Sequence, residues 1–265
     1  MTDDKVTAVV MKYPDELFAA VESHPYKLMF ATVSGAHLYG FSSPDSDFDL
    51  RGAHILPIDK LLGFEVSDET IEVSKVEKTI ELDLVSHDIK KFFSLMLKPN
   101  GYVLEQLYSP LIVQTSSEHD ELKELGKHCI TVHHSHHYLG FSANQWKLFE
   151  SLENKKVKPL LYVFRVLLTG IHLMRTGGIE ANLTILNQEF KLPYINELVD
   201  YKANSREKAT LPTTDIKFEI KFYESEYLRL RKILEEETAI SKLPTSHAIK
   251  PALEDLLKRL RIQST

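Results

Sequence analysis

The sequence predicts an α/β (α+β) fold: a small mixed sheet flanked by helices, followed by a wholly helical half. Three observations predict it. Between residues 26 and 86, apolar residues run continuously or alternate, as strands do, with turn-rich segments between the runs. On either side of that region, at Leu17, Phe18 and Val21 and again at Ile89, Phe92, Phe93 and Met96, apolar residues recur at helical spacing. From Glu118 onward the chain reads almost entirely helical, punctuated by Gly177-Gly178, Pro193, Pro212 and Pro244.

The elements follow in order. Pro14 suits the first turn of a helix running to His24. Tyr26 to Val33 reads as a buried strand that ends at Ser34-Gly35, and Ala36 to Phe41 as one short helical turn. Ser42 to Ser46 is a loop, with Pro44-Asp45 as its turn signal. Phe48 to Leu56 is a second strand, stopped by Pro57. Residues 69–76 and 77–86 alternate. In the second stretch Thr79, Glu81 and Asp83 share one face, and Ile80, Leu82 and Leu84 the other, as in a strand covered on one side. His87 to Leu97 returns to helical spacing. Helices are then expected over 118–131, 133–153, 157–176, 180–190, 194–203, 214–237 and 248–261. The organisation is a catalytic α/β domain over 1–112 and a helical domain over 113–265, with Pro110 near the boundary and a cleft between the two.

Composition bounds the function. The 265 residues carry a net charge of −6, which argues against a protein built chiefly to grip duplex nucleic acid but leaves room for a local basic groove. No apolar run is expected to span a membrane, and the acidic start Met1-Thr2-Asp3-Asp4-Lys5 does not read as a signal peptide. The single cysteine, Cys129, cannot form an internal disulfide and reads as a small buried residue in a helix. A cytoplasmic setting follows.

Asp47-Phe48-Asp49 carries the most chemistry. Two carboxylates one residue apart point the same way on a strand, and their repulsion is relieved by a divalent cation. Asp83, on a strand of its own, supplies a third. Three carboxylates from neighbouring strands can hold two Mg2+ (or Mn2+) ions, one lowering the pKa of an attacking hydroxyl and one neutralising a triphosphate. Upstream, Gly35 offers a bend at which backbone can approach phosphate. Ser46 can brace the loop, and Arg51 can brace a carboxylate or touch a phosphate. Lys158, Tyr162 and Arg165 lie at spacings of four and three on one helix face, either a solvated basic stripe or a cationic wall with a ring for base stacking. The run His133-His134-Ser135-His136-His137 contains one pair four residues apart, His133 and His137, and no cysteine or glutamate at useful spacing, so it reads as a mixed surface and core cluster rather than a zinc site.

Gly35-Ala36-His37-Leu38-Tyr39-Gly40 followed by Ser46-Asp47-Phe48-Asp49-Leu50-Arg51-Gly52 resembles the nucleotidyltransferase motif of the DNA polymerase β-like superfamily. It is closest to the predicted nucleotidyltransferase family associated with RNA repair. Asn100 with Leu104-Glu105-Gln106-Leu107, Tyr138 to Phe141, Lys158 with Arg165, and Ser241 to Pro244 resemble later blocks of that family in the same order. The resemblance implies transfer of a nucleoside monophosphate from a nucleoside triphosphate, with release of pyrophosphate, to a hydroxyl or phosphate of an RNA or tRNA end. Asp47, Asp49 and Asp83 would bind metal, and Ser34, Gly35, Ala36, Tyr39, Ser46, Arg51, Lys158, Tyr162 and Arg165 would bind nucleotide. Ala36 stands where the family has serine, leaving only a backbone N–H for a triphosphate oxygen. Two alternatives stay open: a transferase that adds AMP to a protein, and a nucleotide-binding module with weakened turnover.

Overall fold

The computed structural model describes residues 13–62, 64, 67–77, 80–205, 210–211 and 216–263. Met1 to Lys5, Lys78, Thr79, Pro212 and the start of the helix expected from residue 214 lie outside the described residues.

The elements begin with α1 (Asp15–Glu22), β1 (Lys27–Ser34), the short α2 (Gly35–Tyr39) and β2 (Phe48–Ile55). A hairpin of β3 (Thr70–Glu77) and β4 (Ile80–Asp88) follows, then α3 (Ile89–Met96), α4 (Gly101–Leu107) and β5 (Ile112–Gln114). The strands form one mixed sheet in the order β3-β4-β2-β1-β5, with β2 and β4 parallel and the other neighbours antiparallel. The helical half comprises α5 (Ser117–Lys127), α6 (His134–Ser151), α7 (Val157–Thr176), α8 (Leu183–Phe190), α9 (Pro193–Ala203), α10 (Ile216–Ile240) and α11 (Lys250–Gln263).

Apolar alternation explains the two faces of the sheet. Val33, Leu50, Leu82 and Leu84 pack with Leu17 and Ala20 of α1. Met29, Phe30, Ala53 and Ile55 pack against Ile89, Phe92 and Phe93 of α3. The C-terminal helix returns to that second core through Leu253, Leu256 and Leu260. A third core surrounds α7, from Leu160 to Met174, and also takes in Leu38, Tyr39 and Phe41 beside α2. The segment after β1 is thereby clamped between the sheet and the helical half.

Several expectations need correction. Two short elements, α4 and β5, have too few residues to show a period and lie in a stretch to which the sequence assigns no element. Cys129 is buried as expected, but it sits in the turn after α5 rather than in a helix. Burial pushes its thiol up to about 11. One helix, α7, does reach the length and mean hydropathy of a membrane span, although 83% of that stretch is buried inside the fold, as in a core helix.

Candidate active site

The site is built on the β2–β4 ladder. Parallel pairing sets Asp49 directly opposite Asp83, and antiparallel pairing sets Ser34, at the end of β1, opposite Asp49. Neighbouring strands lie about 4.8 Å apart, so register alone brings the two carboxylates together. Asp47 lies just before β2 and is exposed.

Arg51, two residues along β2, lies on the same face as Asp49. Its Nη2 donates to Asp49 Oδ1 at 2.7 Å and to Asp83 Oδ2 at 3.0 Å. Nη1 donates to the backbone oxygens of Leu50 and Asp83, each at 2.8 Å, and Nε to the Tyr102 hydroxyl at 3.1 Å. The other Asp83 oxygen accepts from Ser74 Oγ at 2.9 Å. Burial, above all, raises the Asp49 carboxyl above its ordinary range. Arg51 and Lys158 pull it down, while Asp83 and Asp47 push it up. Arg51 thus contacts both carboxylates directly.

Gly35 is the other fixed point. It adopts φ +62°, and a Cβ there would stand 1.9 Å from Asp49 Oδ2. Only glycine combines this backbone conformation with room for the carboxylate. Ala36 is buried in α2, and the hydroxyl of buried Ser34 has no hydrogen-bond partner among the described residues. Ser46 braces its own loop: its Oγ accepts from the Ser43 N–H at 2.9 Å and lies 3.0 Å from Ser43 Oγ. Buried Lys202 of α9 donates to that same Ser43 hydroxyl at 2.7 Å.

Beside Asp49 opens a cleft of about 260 Å3. Gly35, Asp49 and Tyr39 form one side, Tyr102 and Glu105 of α4 the second, and His137, Phe141, Tyr162 and Arg165 the helical wall. Arg165 is buried. It forms an ion pair with buried Glu105 at 3.0 Å and lies 3.7 Å from the centre of the Tyr39 ring. Tyr162 meets Tyr39 edge-on at 5.5 Å. Lys158, one turn earlier on α7, is close enough to stabilise the Asp49 carboxylate.

The structure therefore brings together Gly35, Tyr39, Asp49, Asp83, Arg51, Lys158, Tyr162 and Arg165, whereas Ser46 serves its loop. Tyr102 and His137 were not singled out as site residues. Tyr102 lies in the short α4, and His137 was read only within the histidine run. His134 from that run is buried, with its Nδ1 turned toward the Thr131 backbone. No group of three histidine, cysteine or acidic side chains closes into a metal site among the described residues. The carboxylate oxygens of Asp49 and Asp83 nonetheless have the hard-donor chemistry that Mg2+ and Mn2+ take. Both already hold a positive group between them, so the pair fits a cation.

With this geometry in place, sequence comparison decides the family. The profile of the RNA repair pathway DNA polymerase beta family matches residues 11–259. The chain belongs to that family. Members of this family are polymerase β-like nucleotidyltransferases associated with RNA repair. A relative of uncharacterized function, MJ0002 of Methanocaldococcus jannaschii, is 32% identical over 161 residues, covering 59% of this chain and 64% of its own length. YcgL of Bacillus subtilis, also uncharacterized, is 26% identical over 178 residues, 66% of this chain and 67% of its own. The match thus spans about two thirds of each relative. The crystal structure of a nucleotidyltransferase-like protein from Exiguobacterium sibiricum aligns over 94% of this chain and 76% of its own, at 10% identity and a TM-score of 0.33. That similarity is too slight to bear on this chain, whose assignment rests on the family profile.

Proposed function

We propose that this chain is a metal-dependent nucleotidyltransferase that moves a nucleoside monophosphate from a nucleoside triphosphate to an RNA end, tRNA-like RNA included, in the cytoplasm. The observation that carries the reading is the register that sets Asp49 against Asp83 at the mouth of an aromatic cleft, with Gly35 packed on the Asp49 carboxylate. In this reading the α/β part over residues 1–112 supplies the catalytic groups, and the helical part over 113–265 supplies the facing wall.

Asp47, Asp49 and Asp83 would hold Mg2+ or Mn2+. When bound, the ion neutralises the triphosphate and lowers the pKa of the acceptor hydroxyl. The chain's own residues do the positioning. Gly35 and the N–H groups at Ala36 approach the β- and γ-phosphates, with Ser34 and Ser46 shaping the bend. Lys158 offsets phosphate charge from the helical wall, Arg165, paired with Glu105, backs the Tyr39 ring, and Tyr162 stacks with the base. The acceptor oxygen bonds to the α-phosphorus and the bond from that phosphorus to the β-phosphate bridging oxygen breaks. Pyrophosphate then leaves, and a hydroxyl acceptor gives its proton to solvent. Holding these atoms in line is most of what the step needs.

The test is incubation with α-labelled ATP, CTP, GTP and UTP in turn, with Mg2+ and RNAs of defined ends. Label should enter RNA and vanish with Asp49→Asn. Label entering only protein would move the acceptor to a protein hydroxyl. No label with any divalent ion would refute the transferase reading.

A further inference from the structure

We infer that Arg51 is a built-in competitor for the divalent cation, occupying the place between Asp49 and Asp83 that a metal ion bridging the two must take. The inference rests on the proposed function only in treating those two carboxylates as cation ligands.

A guanidinium has five N–H donors, and all five of Arg51 are engaged by strand backbone, the two carboxylates and the Tyr102 hydroxyl. Three of these bonds do not involve a carboxylate oxygen, so the head is anchored independently of the acids. Its Nη2 lies within 3.0 Å of one oxygen from each acid. A divalent ion that joins Asp49 to Asp83 through these oxygens takes the place of Nη2, at roughly 2.0–2.1 Å for Mg2+. Two positive groups cannot share that gap, because like charges a few ångströms apart repel strongly where solvent is partly excluded. Metal entry therefore requires the Arg51 head to leave, giving up its acid contacts and the anchors that come with them. Arg51 offsets part of the charge of the paired acids before substrate arrives and sets the ion concentration at which the bridged state forms.

The bland alternative is a brace: Arg51 merely holds the carboxylates in place. The two roles predict opposite signs. Mn2+ is titrated into the full chain, with free ion followed by electron paramagnetic resonance and heat by calorimetry, and no nucleotide present. If Arg51 competes, Arg51→Met binds Mn2+ at least about tenfold more tightly than the parent. Tyr102→Phe, which removes one anchor, tightens binding about two- to threefold. Arg51→Lys, which keeps charge but loses the fork, falls between parent and Arg51→Met. Equal or weaker Mn2+ binding by Arg51→Met, folded by circular dichroism, overturns the proposal. Should that variant not fold, unchanged or weaker binding by Tyr102→Phe overturns it as well. Tighter Mn2+ binding in a chain that transfers no nucleotide would uphold the competition and sink the transferase reading. Nucleotide transfer by the parent, with Mn2+ affinity unchanged in Arg51→Met, would do the reverse.

Discussion

Each end of the β2–β4 ladder seats an arginine on an aspartate, but the surroundings make the two pairs unlike. At one end Arg51 lies between Asp49 and Asp83, whose side chains are 30% and 40% exposed. At the other, five residues and about 17 Å along the same strands, Asp88 is 1% exposed and holds Arg261 of α11. Both oxygens of Asp88 accept backbone N–H groups, from Lys90 at 3.0 Å and Leu56 at 3.1 Å, and Arg261 adds a third bond. Arg261 also donates to the Leu56 carbonyl. The buried aspartate caps α3 and pins the C-terminal helix, and no part of it is left for a ligand. Among the described residues the half-exposed pair accepts only side-chain donors, and Asp49 keeps an edge toward the cleft. An Arg–Asp contact alone does not mark a functional site; what separates the two is whether backbone donors have already claimed the carboxylate.

That contrast can be broken by mutation. The largest effect is expected for Asp49→Asn and Asp83→Asn. Each should lower transfer by at least about a thousandfold, worth about 4 kcal/mol of barrier, while the thermal midpoint stays close to the parent's. A midpoint that collapses with activity would mean the two ends are alike. Asp88→Ala should do the opposite. It strands Arg261 and uncaps α3, so denaturant unfolding should show a loss of about 3–5 kcal/mol, with the transfer rate per folded molecule near normal. Gly35→Ala joins the two kinds of damage. Its φ favours glycine by about 1–2 kcal/mol, and its new Cβ must displace the Asp49 carboxylate, so stability should fall modestly and transfer about a hundredfold.

The smallest effect concerns pH. Burial lowers His54, which faces Asp88 in the ladder, and also His119 and His134, to about 4 from an ordinary 6.5. Their unfolded forms take up protons first. Their contribution to stability is therefore complete above about pH 6.5 and declines as pH falls toward about 4. Urea midpoints measured across that window should drop with pH, and His54→Gln should flatten the slope.

Much of this was legible in the sequence because it is local. Apolar patterning supplied the strands that carry Asp49 and Asp83, whereas Asp47 falls just before β2. The rest depends on distance. Glu105 and Arg165 meet across 60 positions, and nothing in either helix alone shows that each neutralises the other. Tyr102 holds Arg51 from an element too short to have a period. Asp88 reads as one more polar residue at the start of a helical segment until the fold brings Arg261 to it from 173 positions away. Charge that is satisfied locally can be read from spacing, whereas charge satisfied by a remote partner needs the packing.

Lys202 gives that remoteness a mechanical side. Its ammonium is wholly buried and reaches across 159 positions to the hydroxyl of Ser43, in the loop that delivers Asp47. A cation sealed from water cannot let go of a partner cheaply. Helix α9 and the acidic loop are consequently hitched together, so a tilt of one is a tug on the other, and the far half of the chain has a handle on where its first carboxylate stands.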